Sequence, residues 1–466
     1  MHISAYATRI LRGLLAGALL VALVAVAWPA PAQAATIAVN TTTDEFNTDG
    51  DCSLREAVIA ANEDRLVDSC AAGSGADRIS LPAGNYVLSL AGTGEDAART
   101  GDLDITEDLT IDGDGRTTTT IAAADIDRVL HLVGGALRLS ELTMQGGFSG
   151  SSLGTGIYVP TFGSLTLTRV RLTANNGNSG AVYFGSVGGT LAISESRIDA
   201  NGGAGSSGIV IGAQATASIV DSVISDNAAL NSGGGIANYG LLFLVNSTVS
   251  GNSATRDGGG ILNVASPGVP GSGTAHLYNV TIANNTADSS DDGEGEGGGI
   301  FVEEGTVTVT NSIIANNIDN SSAGVQHPDC SGVLTSGGYS LISDLGGCTI
   351  VGDTTGNLTS VAPGLGPLQS NGGQTQTRAL LPTSPAIDAG TRGGCLDQNG
   401  ATLTTDQRGF ARPIDGDGDG RSRCDLGAYE YGSPGAPTPT NTSTHTRTPT
   451  QTATPTNTRT LTASPS

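Results

Sequence analysis

The chain of 466 residues contains no lysine, so all 21 of its basic residues are arginine. Schiff-base chemistry and lysine general bases are therefore excluded. Aromatic residues make up only 4% and charged residues 14%, and that composition, rich in Gly and Asn, argues against a helical protein. Bases are outnumbered by acids, 21 against 44. The resulting net charge of −23 makes a nucleic-acid duplex or an anionic membrane surface a poor partner. No C-x-x-C pair occurs, which argues against zinc, and no G-x-S-x-G elbow supports a serine triad.

What is present begins with an export signal. Arg9 and Arg12 precede an apolar core, GLLAGALLVALVAVAW (13–28), and Ala32-Gln33-Ala34 fits a cleavage site. The core is shorter than the ~20 residues of a membrane span, so residues 1–34 read as a signal peptide with no transmembrane span after its removal. An exported chain meets an oxidising compartment, and six cysteines agree with that. They allow 15 pairings. The simplest is local: Cys52 with Cys70, Cys330 with Cys348, and Cys395 with Cys424.

The 69 glycines are not scattered. GTGIYV, SGAVYF, SSGIVI, GGGIAN, GGGILN and GGGIFV align on Ile157, Val182, Ile209, Ile236, Ile261 and Ile300. An alternating apolar run follows each, and each unit closes on aliphatic-x-x-Asn, at Asn175, Asn201, Asn227, Asn252, Asn285 and Asn317. A period of about 25 residues with three short alternating pieces and no helical stretch describes a parallel β-helix, each coil rising ~4.8 Å. Ile236, Leu242 and Leu244 should face the core, and the asparagines should stack at one corner, passing amide hydrogen bonds from coil to coil. Ser53 and Glu56 have capping-box spacing, and Leu54, Ala57, Val58 and Ala61 share one helical face, so a short amphipathic helix should cover the first coil. The expected organisation is therefore all-β: a signal peptide (1–34), an N-terminal cap (35–77), the β-helix (78–375), an irregular C-terminal cap (376–432) and a disordered Thr/Pro-rich stalk (433–466).

Two terminal motifs carry a resemblance. TIAVNTTTDEFNTDGDCSLREAVIAAN (36–62) resembles the N-terminal CSLREA domain of secreted bacterial β-helix proteins. SPAIDAG (384–390), TDQRGFARP (405–413) and CDLGAYEY (424–431) resemble the choice-of-anchor Q domain, and the GGGI units are similar to repeats of polymorphic outer-membrane proteins. The resemblance implies secretion, a right-handed parallel β-helix and display at a cell surface, without a defined reaction. The tail departs from the pattern, since the stalk itself carries no recognisable anchor motif.

Chemistry has few places to reside. Asp415, Asp417 and Asp419, with Gly420 at the sixth position, match the first half of a calcium loop, and Asp425 is near its end. In the column at the second bend (Glu141, Arg169, Glu195, Asp221, Asn246, Asn279, Asn311), Glu195 and Asp221 fall one coil apart, close enough for a glycosidase pair. The bland alternative there is an Arg169–Glu195 ion pair merging into an asparagine ladder. Arg171 and Arg197 should stack on adjacent coils without an accompanying carboxylate cluster. The residue after each GGGI-type aliphatic should point outward, giving a stripe that includes Tyr158, Tyr183 and Phe301, either covered by a neighbouring loop or open as aromatic faces suited to sugar rings. The leading expectation is a secreted or surface-displayed, non-catalytic scaffold that binds extracellular glycans or cell-surface proteins, with calcium as its one candidate cofactor. The alternatives are an extracellular polysaccharide lyase or glycoside hydrolase and a structural surface-layer component.

Overall fold

The computed structural model describes residues 34–148, 153–322 and 325–435. The expected signal peptide (1–34), apart from residue 34, and the expected stalk (433–466), apart from residues 433–435, lie outside the described residues. The chain forms a right-handed parallel β-helix, with parallel pairing in register from coil to coil along each wall.

The repeat that begins at Gly233 shows how one coil is built. Ile236–Asn238 forms the first wall, Leu241–Val245 the second and Thr248–Ser250 the third. A fourth, two-residue strand, Ser253–Ala254, splits off after the corner asparagine, where three strands per coil were expected. Leu242 and Leu244 alternate inward and, with Ile236, are fully buried. Gly235 lies so close to the next coil that a Cβ would come within 2.6 Å of the Gly260 carbonyl. The third wall is one 11-stranded ladder from Gly84–Val87 to Leu358–Thr359, a stack about 48 Å long at the usual strand spacing. The first and second walls merge into one sheet because Cys330–Gly337 runs unbroken around their shared corner.

The asparagines stack as expected, and the ladder they form is complete. Each side-chain amide from Asn175 to Asn285 donates to the Oδ1 of the next at 2.8–3.0 Å, and that oxygen also accepts the preceding asparagine's backbone N–H. The second amide proton reaches a backbone carbonyl of the preceding coil. Asn317 ends the series by donating to the carboxylate of Asp329 at 3.0 Å. Such satisfaction matters because an unpaired buried amide costs ~1–3 kcal/mol.

The N-terminal helix, α1, spans Leu54–Asn62 with Ser53 as N-cap and the full Ser53/Glu56 capping box. It is buried on all sides rather than on one face. Arg55 explains the difference: its guanidinium pairs with Asp44 at 2.6 Å and donates to the carbonyls of Ala98 and Gly101, which seats the helix between the loops around the first coil. Asn62 then donates to the Asp104 carbonyl and accepts from Thr106 N–H, tying the helix end to the solenoid edge. All six cysteines pair locally, as Cys52–Cys70, Cys330–Cys348 and Cys395–Cys424.

After Leu358–Thr359 the chain leaves the solenoid and turns back. Rather than only closing an end, the C-terminal unit lies along the outer face of the third wall. Gln407 accepts from Thr248 Oγ1 at 2.6 Å, Arg378 donates to Ser250 Oγ at 2.7 Å, and Ala428 N–H donates to Thr281 Oγ1 at 3.1 Å. Within the unit, Arg412 pairs with Glu430 and Arg408 with Asp406, all four side chains being fully buried. Arg408 also stacks over the Tyr429 ring at 3.6 Å.

Candidate functional site

The outward column of the third wall reads Thr120, Thr143, Arg171, Arg197, Val223, Thr248, Thr281, Ile313 in strict register. From Val223 onward these residues are buried beneath the C-terminal unit. Before it they floor a cleft of about 490 Å³, whose rim is formed by Arg116 and Thr117 on one side and by the segment 370–376 on the other. The cleft exists because close cover of the wall ends at Asp221, where Thr375 Oγ1 donates to that residue's carbonyl, while Gln374 reaches beyond it to Arg116.

Three guanidinium groups enter the cleft. Arg171 and Arg197 are stacked neighbours as expected, but they share a carboxylate that the sequence reading did not assign to them. Asp199, almost fully buried, sits 2.7 Å from Arg171 Nη2 and 2.8 Å from Arg197 Nε. The Asp199 hydrogen bonds push the Arg171 pKa up. Arg116 has no carboxylate partner among the described residues. It donates to the backbone carbonyls of Glu195 and Gln374. Burial pushes its pKa down, against the charge of Glu141 and, more weakly, Glu195, while the like charges of Arg197 and Arg171 act with burial. Nothing in the sequence marked Arg116 or Gln374, which are 258 residues apart.

Glu195 and Asp221 fall on consecutive coils and line a second, smaller cavity of about 220 Å³ together with Gln374, Thr405, Gln407 and Arg408. Both backbones are left-handed, as is the whole column from Glu141 to Asn311, a conformation that Asn and Asp tolerate better than most residues. Arg169 bonds Glu141 and reaches Glu195 at 3.5 Å, while Asn246 donates to Asp221 at 2.5 Å. Burial pushes the Asp221 carboxyl up to about 6, against the Asn246 hydrogen bond, and the charge of Glu195 pushes the same way as burial.

The aromatic stripe is not one open surface. Its register is as expected from Tyr158 and Tyr183 to Phe301, but Val210, Ala237 and Leu262 in the middle are buried. The glycine turns of the repeat fold over them: a Cβ on Gly233, which has φ +76°, would lie 2.9 Å from that of Ala237. Tyr158 and Tyr183 instead form a stack with His131, with centroids 5.6 and 5.2 Å apart, and Arg128 lies 4.8 Å over Tyr158. In the acidic loop, Asp415 and Asp417 converge with Asp388 rather than with Asp419 or Asp425. Asp425 is fully buried and accepts from the backbone N–H of Asp388 and Tyr431. Burial, reinforced by Glu430, raises its pKa well above the ordinary range.

Three disulfides are compatible with an extracellular protein, and among the described residues no helix is long and apolar enough to cross a membrane. No protein-family model matches the chain, and no curated protein matches it in sequence. The chain is similar in fold to a crystal structure of pectate lyase Pel9A, at 13% identity and a TM-score of 0.43, over 85% of this chain and 96% of that one.

Proposed function

We infer that the chain is a secreted, surface-displayed β-helical scaffold that binds extracellular glycans or partner surfaces without catalysis, with the third-wall cleft as its recognition site. The observation that carries this reading is the uncovered stretch of the third wall. There Gln145, Arg171 and Arg197 face a cavity, where the covered stretch of the wall presents Val223, Thr248, Thr281 and Ile313 to the C-terminal unit. A rigid polar floor with fixed donors is what sugar hydroxyls and ring substituents require. The CSLREA-like and choice-of-anchor Q-like motifs support display. The test is a glycan array probed with the full chain and with Thr143→Trp, which fills the cleft floor. Binding to a defined glycan set that T143W abolishes, with an unchanged sheet spectrum, supports the reading. A blank array, or equal binding by both proteins, overturns it.

One observation favours a second reading, a glycoside hydrolase. Asp221, its pKa raised to about 6, and Glu195 on the adjoining coil border one cavity, and a pair of carboxylates is what glycosidic cleavage employs. Release of reducing ends from a polysaccharide panel, lost in Glu195→Gln, would establish it in place of the first.

A further inference from the structure

We propose that the ligand of the third-wall cleft is an anionic glycan chain, bearing carboxylate or sulfate groups, that lies along the solenoid axis. The inference rests on the binding reading above and adds the charge and direction of the ligand.

Charge is the first ground. Asp199 is shared by Arg171 and Arg197, so one carboxylate serves two guanidinium groups. Arg116, half-buried, donates to neutral carbonyls and has no salt-bridge partner among the described residues, with Glu141 and Glu195 acting on it from beyond contact distance. The nearby Glu141 and Glu195 are both engaged by Arg169. The residues that line the cleft include three arginines and no carboxylate, on a chain whose net charge is −23. A partly desolvated guanidinium without a counter-ion keeps free N–H donors in the fork geometry that binds carboxylate or sulfate in bidentate fashion. Repulsion from the rest of the acidic surface is screened beyond ~8 Å at physiological ionic strength.

Direction is the second ground. Arg171 and Arg197 are paired in register on adjacent coils, so their head groups repeat along the axis at the strand spacing of about 4.8 Å. An extended pyranose chain advances by a similar length per sugar, so successive acidic groups can meet successive coils. Thr120 and Thr143 continue the same column and offer hydroxyls to the same chain.

The experiment is titration calorimetry of the full chain with three polymers: polygalacturonate, dextran sulfate and neutral dextran. Comparison is made with Arg116→Gln and with Arg138→Gln, an exposed arginine on the second wall. Binding to either anionic polymer but not to dextran, weakened about tenfold by R116Q and unchanged by R138Q, supports the proposal. The preferred polymer then tells carboxylate from sulfate. If dextran binds as well as the charged polymers and R116Q has no effect, the charge inference falls while the binding reading stands. If none of the three binds, the proposal falls, and the glycan array then decides the binding reading separately. Equal losses in R116Q and R138Q would show attraction to arginine in general and would also overturn it.

Discussion

From Val223 to Ile313 the outward column of the third wall lies under the C-terminal unit, whereas from Thr120 to Arg197 the same column faces the cleft. The two halves share ladder, register and corner asparagines. They differ only in side chains that the solenoid itself does not need. Hydroxyls at Thr248, Ser250 and Thr281 accept or donate to Gln407, Arg378 and Ala428, so each is spent on the covering unit. Arg171 and Arg197 have no such partner across the cleft. In a solenoid, then, inward residues decide that the fold forms and outward residues decide what lies against it.

The largest test removes the cover. Arg412→Ala leaves Glu430 buried without its cation and also cuts the donor to Asn246 Oδ1, at an expected cost of about 3–5 kcal/mol. Hydrogen exchange should then rise sharply at 248–250 and 281–283 and little at 143–145. Uniform change along the wall would mean that the two halves are not separable. A break in the corner ladder should treat both halves alike. Asn227→Ala takes the acceptor from the Asn201 backbone N–H and the side-chain donor from the Ile198 carbonyl and should cost about 2–4 kcal/mol in thermal unfolding, with one cooperative transition.

The boundary between the halves is pH-sensitive. Asp221 holds its proton more tightly when folded, because its pKa is raised to about 6, so it contributes stability on acidification, growing as pH falls from about 7 towards 4. Asp221→Asn should therefore stabilise the chain by about 1–2 kcal/mol at pH 8 and leave it unchanged at pH 4. Denaturant melts at the two pH values read this out, and a gain at pH 4 only would contradict the sign. The smallest effects form a matched pair. Thr248→Val strands Gln407 and should cost about 1 kcal/mol, while Thr120→Val, in the open half, should stay within about 0.5 kcal/mol.

Much of the fold was legible because its signals are local. Gly235, Ile236 and Asn252 recur once per coil, and each answers to the coil beside it. Ser53 and Glu56 announce their helix within four residues. The cover was not legible: Arg412 and Asn246 are 166 residues apart, and nothing in either neighbourhood names the other. The site suffered for the same reason, since its rim at Gln374 comes from a segment that returns from beyond the last coil. The outward stripe from Tyr158 to Phe301 is legible in register, while which part of it is covered is not, because the repeat's own glycine turns do the covering and nothing in their spacing shows where they fold. Asp425 looked like a loop ligand because spacing cannot distinguish a buried carboxylate from a solvated one.

The C-terminal unit takes its main grip on the coils from Asp221 to Ile313, with an outlying contact from Gln374 to Arg116, and α1 grips only the first. A tandem duplication of one coil between these two anchored zones would slide them apart by a single strand spacing, displacing the Arg116–Gln374 contact while leaving both main junctions intact. The uncovered trough would lengthen by one step, so the span of open wall can change in whole-coil increments without rebuilding either end.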